Sequence, residues 1–482
     1  MRKRQQGSIT IFSVVALLVV TGFLLTLLEG VRGQELKRSA NLRTEMALEA
    51  AFANYSTTLW ETYHLLGCNR SDMEQGITQS AESGYSEKEY GTNLLLLKFH
   101  SVKLKSYTLL TDGEGKAYMH AVSSYMQNNI LYETAKQIYN QYESIKYLLD
   151  SGKADDSAIE DALESLQELE NMEESETEGS VSQKSSATLG ISVPQKKEEK
   201  KNPLEDIKRM QKTQLLELVV PDTTKLSEAE YDMSKAVSKR KLLSGKNSQV
   251  EKTDWLDRVL LQQYLLTYFA DYSNPKEGRG LSYELEYLIG GRDNDIENLR
   301  TVVNELLLIR EAANFMYLLT DIEKVEQANL VALTLAGITA NPTIIEVVKI
   351  GLLAAWAFAE SVLDVRALLQ GKKIPLIKNR ELWTLALENV GKISEDYLVA
   401  KESKLGISYK TYLGILLLFQ KDSRLAYRAM DVQEITLQKT GGGVRMDELV
   451  VEAKATANYQ GVPVFVSRNK YQLAADAAYG YY

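Results

Sequence analysis

The longest uninterrupted pattern lies at the start of the chain. Ile9 to Leu28 is apolar except for Thr10, Ser13, Thr21 and Thr26, and no charge intervenes between Arg4 and Glu29. At about 1.5 Å of rise per residue, such a helix spans a hydrocarbon layer of about 30 Å. Arg2, Lys3 and Arg4 precede it, which favours an N-terminus in the cytoplasm and the bulk of the chain outside. A cleaved signal peptide would be shorter and end in small residues, whereas this run ends Leu27-Leu28-Glu29-Gly30-Val31-Arg32.

Beyond the membrane edge the period becomes helical. Leu36, Leu42, Met46, Leu48, Ala51, Phe52, Tyr55 and Leu59 place many apolar side chains on one side. This predicts a stalk helix over 29–66, with Gly30 and Gly33 as weak points. Leu94 to Leu110 predicts a strand and Ala117 to Leu149 a helix. Asp112-Gly113-Glu114-Gly115 between them reads as a turn. The stretch 173–202 is rich in Glu, Ser and Lys, too polar to offset its ordering entropy, and reads as a disordered linker.

A bundle pattern fills 203–410. Asp254 is placed to cap a helix, Asp293 or Asn294 to cap a second through Tyr317, and Asn341-Pro342 to start another reaching about Leu369. Ile344 to Leu369 is apolar, but Glu346, Lys349, Glu360, Asp364 and Arg366 make it a core helix rather than a second span. Leu281 to Ile289 alternates, which places Glu284 and Glu286 on one solvated strand face. Val432 to Leu437, Leu449 to Tyr459 and Val462 to Val466 read as strands, to be completed by the strand near 102–110.

The fold class is therefore mainly α with a small α+β part. It combines an N-terminal transmembrane helix extended into a stalk, a helical bundle, and a small antiparallel sheet built from the two chain ends. The divisions are a basic cytoplasmic segment 1–7, membrane helix 8–28, stalk 29–66, first head part 67–172, linker 173–202, bundle 203–410, and a completing tail 411–482.

Composition narrows the function. The 482 residues carry a formal net charge of −9, which argues against nucleic acid as a partner. Cys68 is the only cysteine, which excludes an internal disulfide. His64, His100 and His120 show no zinc-helix spacing, and no nucleophile elbow or Walker loop is present. The expectation is a non-enzymatic protein with no cofactor and no metal. Arg310, Glu311 and Asn314 in one apolar helix, with Glu360, Asp364 and Arg366 in another, predict a buried polar network, because buried charges need partners. Glu29 and Arg32 are candidate membrane-edge contacts.

Gly7-Ser8-Ile9-Thr10-Ile11-Phe12, preceded by basic residues and followed by the long apolar helix, resembles the N-terminus of type IV pilin-like proteins, closest to TadE/TadG-like components of tight-adherence (Flp/Tad) pilus systems. The resemblance implies a prepilin-type peptidase cutting at Gly7–Ser8. The family's glutamate at the fifth position after the cut is replaced by Phe12. With GSITIF, the strings LSYELEYLIGG, LLLIREAANFMYLLTD and AAWAFAESVLDVRALLQGKKIPLIK resemble an uncharacterised clostridial membrane-protein family, a DUF5702-like domain of unknown function that accompanies such pilus genes. The implied partners are the lipid bilayer and other pilus or secretion membrane proteins. The alternative is a membrane-tethered extracytoplasmic binding or sensor protein outside any filament.

Overall fold

The computed structural model describes residues 5–83, 97–127, 202–211, 215–220, 226–336, 341–393, 398–441, 443–465 and 470–481, with short pieces at 136, 139–140, 142–147, 161–165, 167–168 and 224. The predicted linker at 173–202 lies outside the described residues apart from Asn202. In chain order the first elements are α1 (Gln5–Phe52), α2 (Thr57–Tyr63), β1 (Cys68–Asn69), α3 (Arg70–Ser83), β2 (Leu97–Leu109) and α4 (Lys116–Met126). Next come α5 (Pro203–Gln211), α6 (Leu215–Val219), α7 (Trp255–Tyr268), α8 (Glu284–Gly290), α9 (Asp295–Thr320), α10 (Ile322–Ala336) and α11 (Pro342–Leu369). The last are α12 (Tyr409–Phe419), α13 (Asp422–Lys439), β3 (Leu449–Gly461) and β4 (Tyr471–Gly480). They form two compact units.

The first unit combines Met1–Ile130, Ser234–Tyr264 and Asp422–Tyr482. Its sheet is antiparallel, with β3 at the centre, β2 along one side, and β4 and β1 along the other. The sheet is thus built from both chain ends, as the sequence pattern implies. Alanines at 453, 455, 457, 475 and 477 make its inner face shallow. The second half of α1 lies in that trough and buries Leu36, Ala40, Ala47, Leu48, Ala51 and Phe52. Small side chains let the helix approach closely, and Leu36, Leu48 and Phe52 supply the burial.

Several elements differ from their sequence pattern. α1 runs unbroken through Gly30 and Gly33 but stops at Phe52 instead of reaching residue 66. The chain then re-enters helix as α2, which Ser56 caps at its N-terminus. Val432 to Leu437 is not a strand; it lies within α13, where Leu425, Ala429, Met430, Gln433 and Leu437 recur at helical spacing. Val462 to Phe465 is a connection rather than a strand, and pairing resumes at Tyr471. The alanine-rich run of β4 lacks the β-branched residues that mark a strand.

The second unit combines Leu131–Met233 and Leu265–Lys421. α9 and α11 pack along each other at its centre, with α10 against α11. Asn294 caps α9 by accepting from Ile296 N (2.8 Å), and Asn341 caps α11 by accepting from Thr343 N (3.1 Å). α11 is buried from Gly351 through Leu369, as a core helix should be. Leu281 to Ile289 is a correction: Glu284–Gly290 is helical, and both Glu284 and Glu286 are buried rather than solvated. Leu285, Leu288 and Ile289 recur at the i, i+3, i+4 spacing of a helix, while Leu285, Tyr287 and Ile289 alternate as in a strand, and Gly291 at φ 65° ends the helix.

Candidate functional site

Two arrangements, one in each unit, gather the charged residues singled out above. The first is at the point where the apolar run of α1 ends. Between Ile9 and Leu28 the large apolar side chains other than Leu25 are exposed, Phe12 by 74%. The hydroxyls of Ser13, Thr21 and Thr26 donate to the carbonyls of Ile9, Leu17 and Gly22 one turn back, at 2.7–2.8 Å. Each of these hydroxyls is thus satisfied inside the helix, as hydrocarbon requires. The helix is long and apolar enough to cross a membrane.

Glu29 is the first charge after this run, and it is buried. Its Oε1 accepts from Arg32 Nη1 and from the Tyr471 hydroxyl, both at 3.0 Å. Its Oε2 accepts from the backbone N–H groups of Phe465 (3.1 Å) and Val464 (3.3 Å). Arg32 Nη2 donates to Val462 O at 2.6 Å. The i,i+3 pair on α1 thereby fastens the 462–465 connection and the first residue of β4. Burial alone would raise the Glu29 carboxyl. The donors from Phe465, Tyr471 and Val464, with the Arg32 charge, outweigh it and hold the group below its usual value. Val31, Val464 and Phe465 leave an exposed apolar collar at this level. Gly7 and Ser8 lie in the first turns of α1.

The second arrangement is the polar network of the helical unit. Arg310 on α9 is fully buried. Its Nε and Nη2 donate to Asp364 Oδ2 on α11 at 3.0 and 2.9 Å. Nη1 donates to the carbonyls of Pro375 and Leu376, both at 2.8 Å, and to the Tyr412 hydroxyl at 3.1 Å. Asn314 Oδ1 accepts from Nη2 at 3.2 Å, while its Nδ2 donates to Ser361 Oγ (2.9 Å) and Asp364 Oδ2 (3.0 Å). Lys378 bridges Asp364 Oδ1 at 2.5 Å and also pairs with Glu360. Glu360 accepts from Thr384 N (3.0 Å) and Leu385 N (2.8 Å). Two cations thus meet two anions. Burial would raise Asp364, but Lys378 and Arg310 beside it hold it below the usual carboxylate range.

Of the predicted network, Arg310, Asn314, Asp364 and Glu360 come together. Glu311 is half-buried. Arg366 is buried elsewhere, donating to the carbonyls of Leu218 (2.6 Å), Ile393 (2.7 Å) and Leu398 (2.8 Å). Lys378, Ser361 and Tyr412 escape sequence reasoning, because a lysine in a basic loop and a tyrosine in an apolar helix carry no signal of pairing. The same is true of Arg240 in the first unit. It donates to both Glu434 oxygens (2.7 and 2.9 Å) and to Asp447 (2.5 Å). Among the described residues no three His, Cys, Asp or Glu side chains converge as metal ligands.

A family model described as a family of unknown function, DUF5702, matches residues 193–461, more than half of the chain. The chain belongs to the DUF5702 family. The DUF5702 match contains the whole Arg310 network and β3, and α1 lies outside it. No curated protein and no solved structure matches the chain.

Proposed function

We propose that this DUF5702 protein is a non-enzymatic, membrane-anchored component of a tight-adherence or type IV-like pilus or secretion assembly. The observation that carries this reading is the division of labour within α1. Its first half exposes apolar side chains and a few hydroxyls but no charge from Ile9 to Leu28, and its second half lies on the alanine-rich face of an antiparallel sheet. A helix used in this way can slide or pack sideways in lipid while carrying a folded head. The pilin-like GSITIF start points the same way. The basic residues before α1 favour a cytoplasmic N-terminus and a head outside. The Arg310 network supports a structural role, because its charges are spent on one another and on backbone groups rather than held free for a substrate.

Crosslinking tests the reading. An amine-reactive bifunctional crosslinker applied to native membranes should join these chains through their lysines to one another or to neighbouring assembly proteins, giving ladders. An isolated monomer band would favour the tethered binding or sensor protein instead. Mass spectrometry of the native N-terminus shows whether a prepilin-type peptidase cuts Gly7–Ser8.

A further inference from the structure

The helical unit holds a second group of buried acids apart from the Arg310 network. Asp271, in the turn after α7, and Glu286, on α8, are both fully buried. Glu286 Oε1 accepts from Tyr272 N at 2.9 Å and from the Tyr409 hydroxyl of α12 at 2.7 Å, while its Oε2 has no hydrogen-bond partner. Asp271 Oδ1 accepts from Ser273 N (2.9 Å) and Ser273 Oγ (2.6 Å), and its Oδ2 likewise has none. A buried ionised carboxylate is acceptor-only, so an unpartnered oxygen on each of two neighbouring acids is costly. A proton on one of them turns an orphaned acceptor into a donor.

We propose that Glu286 is a proton latch: it is held as the neutral carboxylic acid beside Asp271, and loss of its proton leaves two charged carboxylates buried in one corner and loosens it.

The surroundings favour the neutral form. From the turn, Asp271, Tyr272, Lys276 and Arg279 face this region; Tyr283 and Glu284 flank it at the start of α8; Asp295 comes from α9; and Tyr409 and Lys410 come from α12. Of the two turn cations, Lys276 Nζ donates to Thr267 O and Arg279 Nη2 to Tyr268 O, each at 3.0 Å. Burial pushes the Glu286 carboxyl up to about 8, the donors Tyr272 N and Tyr409 pull it down, and the Asp271 charge raises it again. An unfolded glutamate titrates at about 4.3. Between these values the native state keeps a proton that the unfolded state has shed. Stability is therefore full below the unfolded value, falls as pH rises to about 8, and levels off above that.

Infrared spectroscopy of the full chain in detergent reads the proton directly. Near neutral pH the wild type should show the carbonyl stretch of a buried carboxylic acid. That band should fade as pH passes about 8 and be missing from Glu286→Gln. The Glu286→Gln melting temperature should lack the decline with pH between about 4.3 and about 8. Absence of the band from the wild type near neutral pH overturns the proposal. So does a band that survives in Glu286→Gln and disappears in Asp271→Asn. Should the glutamine variant fail to fold, the wild-type titration decides alone.

Discussion

The Tyr471 hydroxyl donates to Glu29 Oε1 at 3.0 Å, joining residues 442 positions apart in the chain. Glu29 is the first charge beyond the apolar run of α1, and Tyr471 opens the last strand. Through this bond, and the two backbone donors at 464 and 465, the far end of the chain is fastened where the helix leaves its apolar stretch.

Glu29→Ala removes the acceptor for Tyr471, Val464 and Phe465 while leaving the buried face of α1 intact. Losing hydrogen bonds to a charged group shifts a local opening equilibrium by about tenfold or more. Amide exchange should rise at Val464 and Phe465 and stay unchanged in the core of β3. If Glu29 also sets register with neighbouring membrane proteins, this variant loses crosslinked ladders while the head keeps its fold.

Breaking the Arg310–Asp364 pair should be far more damaging. Removing one member of a buried ion pair costs about 3–5 kcal/mol, because the other is left charged and unpaired. Arg310→Met and Asp364→Leu should each lower the melting temperature sharply. Lys378, which also touches Asp364, limits recovery in the double variant. A double-mutant cycle on thermal melting in detergent measures the coupling.

Asp364 also gives an acid limb to stability. Its native pKa lies below the unfolded value of about 3.9, so its contribution is fully present above that value. The contribution is lost as pH falls through the native value, when Asp364 takes up a proton and its attraction to Arg310 and Lys378 fails. Melting curves taken from neutral to strongly acidic pH should show this limb, and Asp364→Asn should flatten it.

The alanine face of the sheet makes a steric prediction. Ala455 and Ala477 are opposed across β3 and β4 and buried in the same core as Leu48 and Phe52 of α1. Ala477→Leu overfills that space at a cost of about 1–3 kcal/mol. The expected signature is a lower denaturation midpoint in detergent. Leucine in place of exposed Ala474 on the same strand should be close to neutral.

Much of this was legible in the residues. The long apolar helix announces itself through absence of charge, and Asn294 and Asn341 announce helix starts because their side-chain oxygens can accept from the first free N–H groups of a helix. Arg310, Asn314 and Asp364 stood out as polar groups stranded on apolar helices. What stayed hidden depends on distance in sequence. Nothing around Lys378 or Tyr412 tells that they close on Asp364 and Arg310, and nothing around Tyr471 tells that it meets Glu29. β4 was missed because alanines pack under a helix without looking like a strand. The sequence places Glu286 on a solvated face, and the structure buries it, because a seven-residue helix and an alternating strand share much of the same short pattern of apolar residues.

Topology is the most direct test of an anchored protein with its head outside. Leu405 is 95% exposed, and the native Cys68 is fully buried with its thiol pushed up to about 12 by burial, so a cysteine at 405 is the one that reacts. Intact cells making Leu405→Cys should take up a membrane-impermeant maleimide without permeabilisation, on a chain that stays in the membrane fraction after an alkaline wash. Labelling that appears only after the cells are broken, or release of the chain by the wash, would contradict it.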